Sequence, residues 1–130
     1  MSHKVLIIED DAALLRGLQD NFKDRGYLVV GARDGEAGLD AAMKDPPDLI
    51  LLDIMLPKLG GFDVLKTLRS DELLCSTSVL ILTARGQQYD RKAAMDLRAD
   101  GFITKPFAND EVVAAVRNML DGGARLAMHA

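Results

Sequence analysis

The chain has 130 residues, 48% of them hydrophobic and 28% charged, with 11 Gly, 4 Pro and one cysteine. That is one domain's length with enough apolar content to fill a core, which excludes disorder, low-complexity arrays, a disulfide-stapled scaffold and a multi-cysteine zinc site. A net charge of −4 argues against direct contact of this chain with duplex DNA, and its two histidines, His3 and His129, lie too near the ends to serve an interior nucleophile–histidine device. In chain order, a β-branched and leucine run at 4–8 reads as a strand. It is followed by Leu14, Leu15, Leu18 and Phe22 at helical spacing, with Asp11 as N-cap and Gly26 as the stop. A second strand spans 27–32, and a second helix, capped by Asp34, must end before Pro46-Pro47. A third strand at 48–52 is apolar from Leu49 to Leu52, and Phe62, Leu65 and Leu68 mark a third helix. A strand at 78–82, a helix around Ala93, Ala94 and Leu97, a strand at 101–104 and a helix carrying Val112, Val113, Val116 and Leu120 complete the alternation. No apolar stretch approaches the roughly 20 residues of a membrane span, and the first residues contain no signal-peptide core; no membrane contact and a cytoplasmic location are expected.

Strand–helix alternation through the whole chain implies right-handed crossovers and a parallel sheet covered on both faces, an α/β fold. In such a sheet, ligands gather beyond the carboxyl ends of the strands. Glu9, Asp10 and Asp11 follow the first strand there, Asp53 the third, Thr83, Ala84 and Arg85 the fourth, and Lys105 and Pro106 the fifth. Each has an ordinary explanation by itself: acids opening a helix act as caps, an Asp after a strand as a turn residue, a lysine as a solvated loop charge. At several strand ends of one sheet they make a single site. Clustered carboxylates repel unless compensated, a hard divalent cation compensates them, and Mg²⁺ takes oxygen ligands while leaving room for phosphate oxygens. A carboxylate nucleophile, a hydroxyl and an ammonium around such an ion describe phosphoryl chemistry. No phosphate-cradling glycine motif follows the first strand, which disfavours nucleotide binding.

These residues resemble the receiver domain of bacterial two-component response regulators, with motifs nearest the winged-helix DNA-binding branch. The matching stretches are Val5-Leu-Ile-Ile-Glu-Asp-Asp11, Asp48-Leu-Ile-Leu-Leu-Asp-Ile-Met-Leu-Pro57, Leu80-Ile-Leu-Thr-Ala-Arg-Gly86 and Phe102-Ile-Thr-Lys-Pro-Phe107. The resemblance implies a flavodoxin-like sheet of strand order 2-1-3-4-5 with five helices on both faces. The receiver would occupy residues 1–121, and 122–130 would be a tail or the start of a linker. It further implies Asp53 as phosphoacceptor and Mg²⁺ held by Asp10, Asp53 and the main-chain carbonyl of Met55, with Glu9 acting through water. Thr83 and Lys105 would hold the phosphoryl group, Phe102 would be the aromatic that changes rotamer, and the Lys105–Pro106 peptide would be cis. The donor would be a histidine kinase or histidine phosphotransfer protein. The output would be a changed surface on the fourth helix, fifth strand and fifth helix, and the domain would be a switch with slow self-dephosphorylation rather than an enzyme. In the winged-helix branch that surface forms a phosphorylation-dependent homodimer; the matching charges are Arg91 with Glu111 and Asp96 with Arg117, around an apolar patch at Met95 and Val113, a third pair being lost at Leu97 and Ala115. A magnesium-dependent phosphohydrolase and a phosphorylation-independent interaction module are the rival readings.

Three positions depart from the family pattern. Gly60 stands where an acidic or polar residue is common and is expected to loosen the loop after Pro57. Arg98 stands where glycine is common, at a position where a left-handed conformation would cost about 1–2 kcal/mol. Phe102 stands where the winged-helix branch commonly has tyrosine, so the rotating ring has no hydroxyl. Met55 and Arg85, two residues past the acceptor and the threonine, supply neither an acid nor an amide to orient water, hence the expected slow hydrolysis.

Overall fold

The computed structural model describes residues 2–84 and 88–121. Arg85, Gly86 and the 122–130 tail lie outside the described residues. The elements are β1 (Lys4–Ile8), α1 (Ala12–Asp24), β2 (Leu28–Ala32), α2 (Gly35–Lys44), β3 (Leu49–Asp53), α3 (Gly61–Ser70), β4 (Ser78–Thr83), α4 (Gln88–Asp96), β5 (Gly101–Thr104) and α5 (Asn109–Leu120). The strands pair in parallel in the order β2-β1-β3-β4-β5, the flavodoxin-like arrangement expected from the sequence.

Period-two alternation distributes the core between the two faces. Leu6, Ile8, Ile50, Leu52, Val79, Ile81 and Phe102 pack with Val64, Leu65 and Leu68 of α3, Ala42 of α2 and Ala94 of α4. Val5, Ile7, Leu49, Leu51, Leu80, Leu82 and Ile103 pack with Leu15, Leu18 and Phe22 of α1 and Val112, Val113 and Val116 of α5. Central β3 is buried at every position, which explains its unbroken apolar run.

The strands that carry the site extend one residue further than their apolar runs. Asp53 closes β3 and Thr83 closes β4, instead of lying in the loops beyond. Ladder pairing continues through them, Asp53 opposite Leu82 and Thr83 opposite Thr104, so the polar residues sit on rigid backbone. Helix starts follow capping chemistry: Asp11 Oδ1 accepts from the amides of Ala13 and Leu14 at 3.0 and 3.1 Å, and Asp34 Oδ1 from Ala37 at 2.8 Å. Ala108, the N-cap of α5, has no side-chain acceptor; Glu111 Oε1 reaches back to accept its amide at 3.1 Å. Gly26 ends α1 at φ 89°. Arg98 does take the left-handed conformation, φ 64°, as does Lys58 at φ 66°. Gly60 is in ordinary extended backbone at φ −65° and serves as the N-cap of α3.

One expected surface residue is relocated. Val113 is buried in the α1–α5 side of the core and cannot contribute to an apolar dimer patch. The 3.6-residue period of α5 turns Val112, Val113, Ala115 and Val116 inward together and leaves Glu111 and Arg117 outward. Met95 remains exposed.

Candidate functional site

β1 and β3 run side by side with Ile8 opposite Leu52, so the residues leaving their carboxyl ends meet. Glu9 and Asp53 are buried there at 1% and 4% exposure, while Asp10 faces solvent. Oxygen atoms of Glu9, Asp10 and Asp53 all lie within 4.8 Å of one another. Asp11, next in sequence, is committed to capping α1. The donor set is all oxygen and anionic, two members buried and one open to solvent, which fits a hard divalent cation such as Mg²⁺.

Among the described residues, Lys105 supplies the one positive charge bound directly to the buried pair. Its Nζ donates to Glu9 Oε1 at 2.8 Å and Asp53 Oδ2 at 3.0 Å. The lysine leaves the end of β5, and its amide donates to Thr83 O at 2.7 Å, which ties the β5 loop to the end of β4. The Lys105–Pro106 peptide bond is cis. The second oxygens of the acids are held by main chain: Glu9 Oε2 accepts from Asp11 N at 3.1 Å and Asp53 Oδ1 from Met55 N at 3.0 Å. One ammonium facing two buried carboxylates leaves negative charge in excess among the described residues. Burial, opposed by the bonds from Lys105 and Asp11 and reinforced by the charge of Asp53, pushes Glu9 up to about 7. Burial pulls Lys105 down, but its hydrogen bonds to Glu9 and Asp53 and their charges outweigh that and raise it above the ordinary lysine value.

The floor of the site needs a glycine. A Cβ on Gly61 would lie 2.3 Å from Asp53 O and 2.5 Å from Ile54 Cα, and the Gly61 amide donates to Ile54 O at 2.8 Å. Met55, two residues past Asp53, is 53% exposed at the rim, so it does not pack into the core. Thr83 is buried at the end of β4 and Phe102 is buried on β5. One contributor was not anticipated from the sequence. Arg33, just past β2, donates from Nη2 to Asp10 O at 3.0 Å and so ties down the loop carrying the acids. The available signal was its position after a strand end on the same edge of the sheet.

The profile of the response regulator receiver domain family matches residues 5–117. The chain belongs to this family. It is a phosphorylation-dependent signalling switch of two-component systems. The receiver is 42% identical to the alkaline phosphatase synthesis transcriptional regulatory protein PhoP of Bacillus subtilis over 92% of this chain and 49% of that protein. It is 42% identical to the transcriptional regulatory protein CpxR of Escherichia coli, over 91% of this chain and 49% of that one. The chain thus spans about half the length of the curated relatives it matches. Among solved structures it is similar to the Vibrio cholerae chemotaxis protein CheY4, with a TM-score of 0.86 at 26% identity, covering 91% of this chain and 98% of that one. A signal receiver domain of a histidine kinase from Syntrophus aciditrophicus matches with a TM-score of 0.85 at 26% identity, over 97% and 96% of the two chains. Among the described residues, no helix is long and apolar enough to cross a membrane.

Proposed function

We propose that Asp53 is the phosphoacceptor of this receiver, that the domain occupies residues 1–121, and that its donor is a histidine kinase or a histidine phosphotransfer protein. The observation that carries the assignment is Lys105 Nζ placed between Asp53 and Glu9, with Asp10 alongside. Asp10, Asp53 and the main-chain carbonyl of Met55 would hold Mg²⁺, with Glu9 acting through water. When bound, the ion supplies positive charge to the phosphoryl oxygens during transfer.

The chain's own residues do the rest. Asp53 attacks the phosphorus of a donor phosphohistidine in line; the P–N bond breaks as the P–O bond forms, and the acyl phosphate stays on Asp53 while the imidazole leaves. Lys105 releases its ion pair with Asp53 and follows the new negative charge. Fixed on the strand and through the Met55 amide, Asp53 needs little reorganisation to react. Thr83 donates its hydroxyl to a phosphoryl oxygen, and Phe102 occupies the space on the same face of the sheet. That couples the site to α4, β5 and α5. Exposed Met55 offers no acid or amide to orient an attacking water, so the acyl phosphate is expected to hydrolyse slowly.

The relatives are transcriptional regulatory proteins, which favours an output in transcription, through a DNA-binding segment outside this chain. A phosphorylation-dependent homodimer would use exposed Asp96, Glu111 and Arg117 with Arg91 and the Met95 side chain. Exposed ion pairs contribute only about 0–1 kcal/mol each, and Val113 is unavailable, so the phosphate-free domain should be a monomer or weak dimer. The deciding experiment is intact mass after incubation with acetyl phosphate. One phosphoryl group should appear with Mg²⁺ and not in chelator, and Asp53→Asn should remove it; undiminished labelling of that variant would overturn the assignment.

A further inference from the structure

Phe102 is fully buried in β5, on the sheet face that α3 and α4 cover. It pairs with Ile81, two residues before Thr83 on the same face of β4. A phenylalanine has no hydroxyl, so nothing polar on the ring itself can fix it in one position. The structure supplies a different handle. Arg91, in the first turn of α4, places its guanidinium carbon 5.8 Å from the Phe102 ring centroid. Its Nε is buried with no hydrogen-bond partner among the described residues, so the guanidinium gives up water on that side without a polar replacement there. A guanidinium within about 6 Å of a ring face is attracted by the ring quadrupole, an effect of roughly two- to five-fold in a population at an exposed site and more where water is excluded.

We propose that Arg91 is a positioning residue of the switch: its guanidinium, lying against the Phe102 ring, holds that ring buried and so favours the state of the domain that retains the phosphoryl group. The proposal rests on the assignment of Asp53, Thr83 and Phe102 made above. A contact present in only one of two states shifts their ratio by its full strength. Arg91 also belongs to the surface expected to meet a second copy, so ring position and partner-facing charge converge on one side chain.

The test uses the domain labelled with 4-fluorophenylalanine, whose four fluorine resonances report Phe22, Phe62, Phe102 and Phe107. Phe102→Leu assigns the relevant signal by its loss. In the unliganded protein, Arg91→Gln should move the Phe102 resonance and leave that of distant Phe22 in place. In a titration with beryllofluoride and Mg²⁺, Arg91→Gln should weaken binding about two- to five-fold, and Arg91→Lys should restore part of the loss. In the Phe102→Leu background, Arg91→Gln should have no effect on binding, because the ring it acts through is gone. An unmoved Phe102 resonance, or the same loss of affinity in both backgrounds, would overturn the proposal. Failure of the wild type to bind beryllofluoride would instead overturn the phosphoacceptor reading on which it rests.

Discussion

The two ends of β5 carry two buried ionic groups of opposite design. At its amino end, Arg69 and Asp100 are each 8% exposed and pair at 3.1 Å. The Arg69 fork also donates to Arg98 O at 2.8 and 3.2 Å, to Thr77 O at 2.7 Å and to Cys75 O at 3.1 Å, while Asp100 accepts from Val79 N at 2.9 Å. One guanidinium meets one carboxylate among the described residues, the planar guanidinium uses its donors in several directions, and the end of α3 is tied to the turns that precede β4 and β5. At the carboxyl end, Lys105 faces two buried carboxylates with a third acid in reach, and the balance among the described residues is negative. The first group is compensated and holds the fold together. The second is under-compensated among the described residues, and that deficit of positive charge is what the proposed cation and phosphoryl group would meet. Burial alone does not separate a structural ion pair from a functional one; the charge balance does.

The sharpest break of this comparison is chemical. Asp53→Asn should reduce phosphoryl incorporation from acetyl phosphate below detection while leaving the urea midpoint equal or higher, because it removes part of the charge excess; intact mass and urea unfolding read the two effects. Arg69→Ala should do the reverse. It strands Asp100 and several carbonyls in the interior, so it should cost about 3–5 kcal/mol in urea unfolding, with incorporation per folded molecule unchanged. Arg69→Lys should recover only a part, since an ammonium cannot reproduce the fork.

Glu9→Gln should stabilise the metal-free domain by about 1–2 kcal/mol at pH 8, in chelator, while weakening Mg²⁺ binding. The sign follows from the raised pKa of Glu9, from 4.5 to about 7. Ionising a carboxyl that the fold keeps protonated destabilises above the unfolded value and does so fully once the pH exceeds the folded one. The gain of the variant should therefore shrink as pH falls through this window and vanish near pH 4, measured by unfolding at several pH values. The smallest effect concerns the amino end. Arg98→Gly should stabilise by about 0.5–1 kcal/mol, since glycine relieves the left-handed strain at φ 64° but has more entropy to lose, and Arg98 O remains available to Arg69. A thermal midpoint that falls in this variant would assign the Arg98 side chain a stabilising contact.

The carboxyl end of the sheet was legible in the sequence because its parts are local. An apolar run ends in an acid, a threonine or a lysine, and parallel topology collects such ends on one edge. The Arg69–Asp100 group left no such signal. The partners are 31 residues apart, and neither sits at a strand's carboxyl end. Arg33 and Arg91 were visible as charges, but their acceptors, the Asp10 carbonyl and the Phe102 face, come from other elements. Val113 was misplaced for a related reason: the helix period shows that an apolar stripe exists, and only the packed neighbours decide how wide a stripe is covered.

By itself, then, the sequence determined the alternation of strands and helices, the N-caps at Asp11 and Asp34, and the membership of the acidic site, because hydrophobic periodicity and capping act over a few residues. Tertiary structure decided which carboxylates are buried, where Lys105 bridges, that Arg69 is saturated, and that Arg91 lies on the Phe102 ring. Those outcomes depend on solvent exclusion and on contacts between distant segments, and both arise only when the helices close over the sheet.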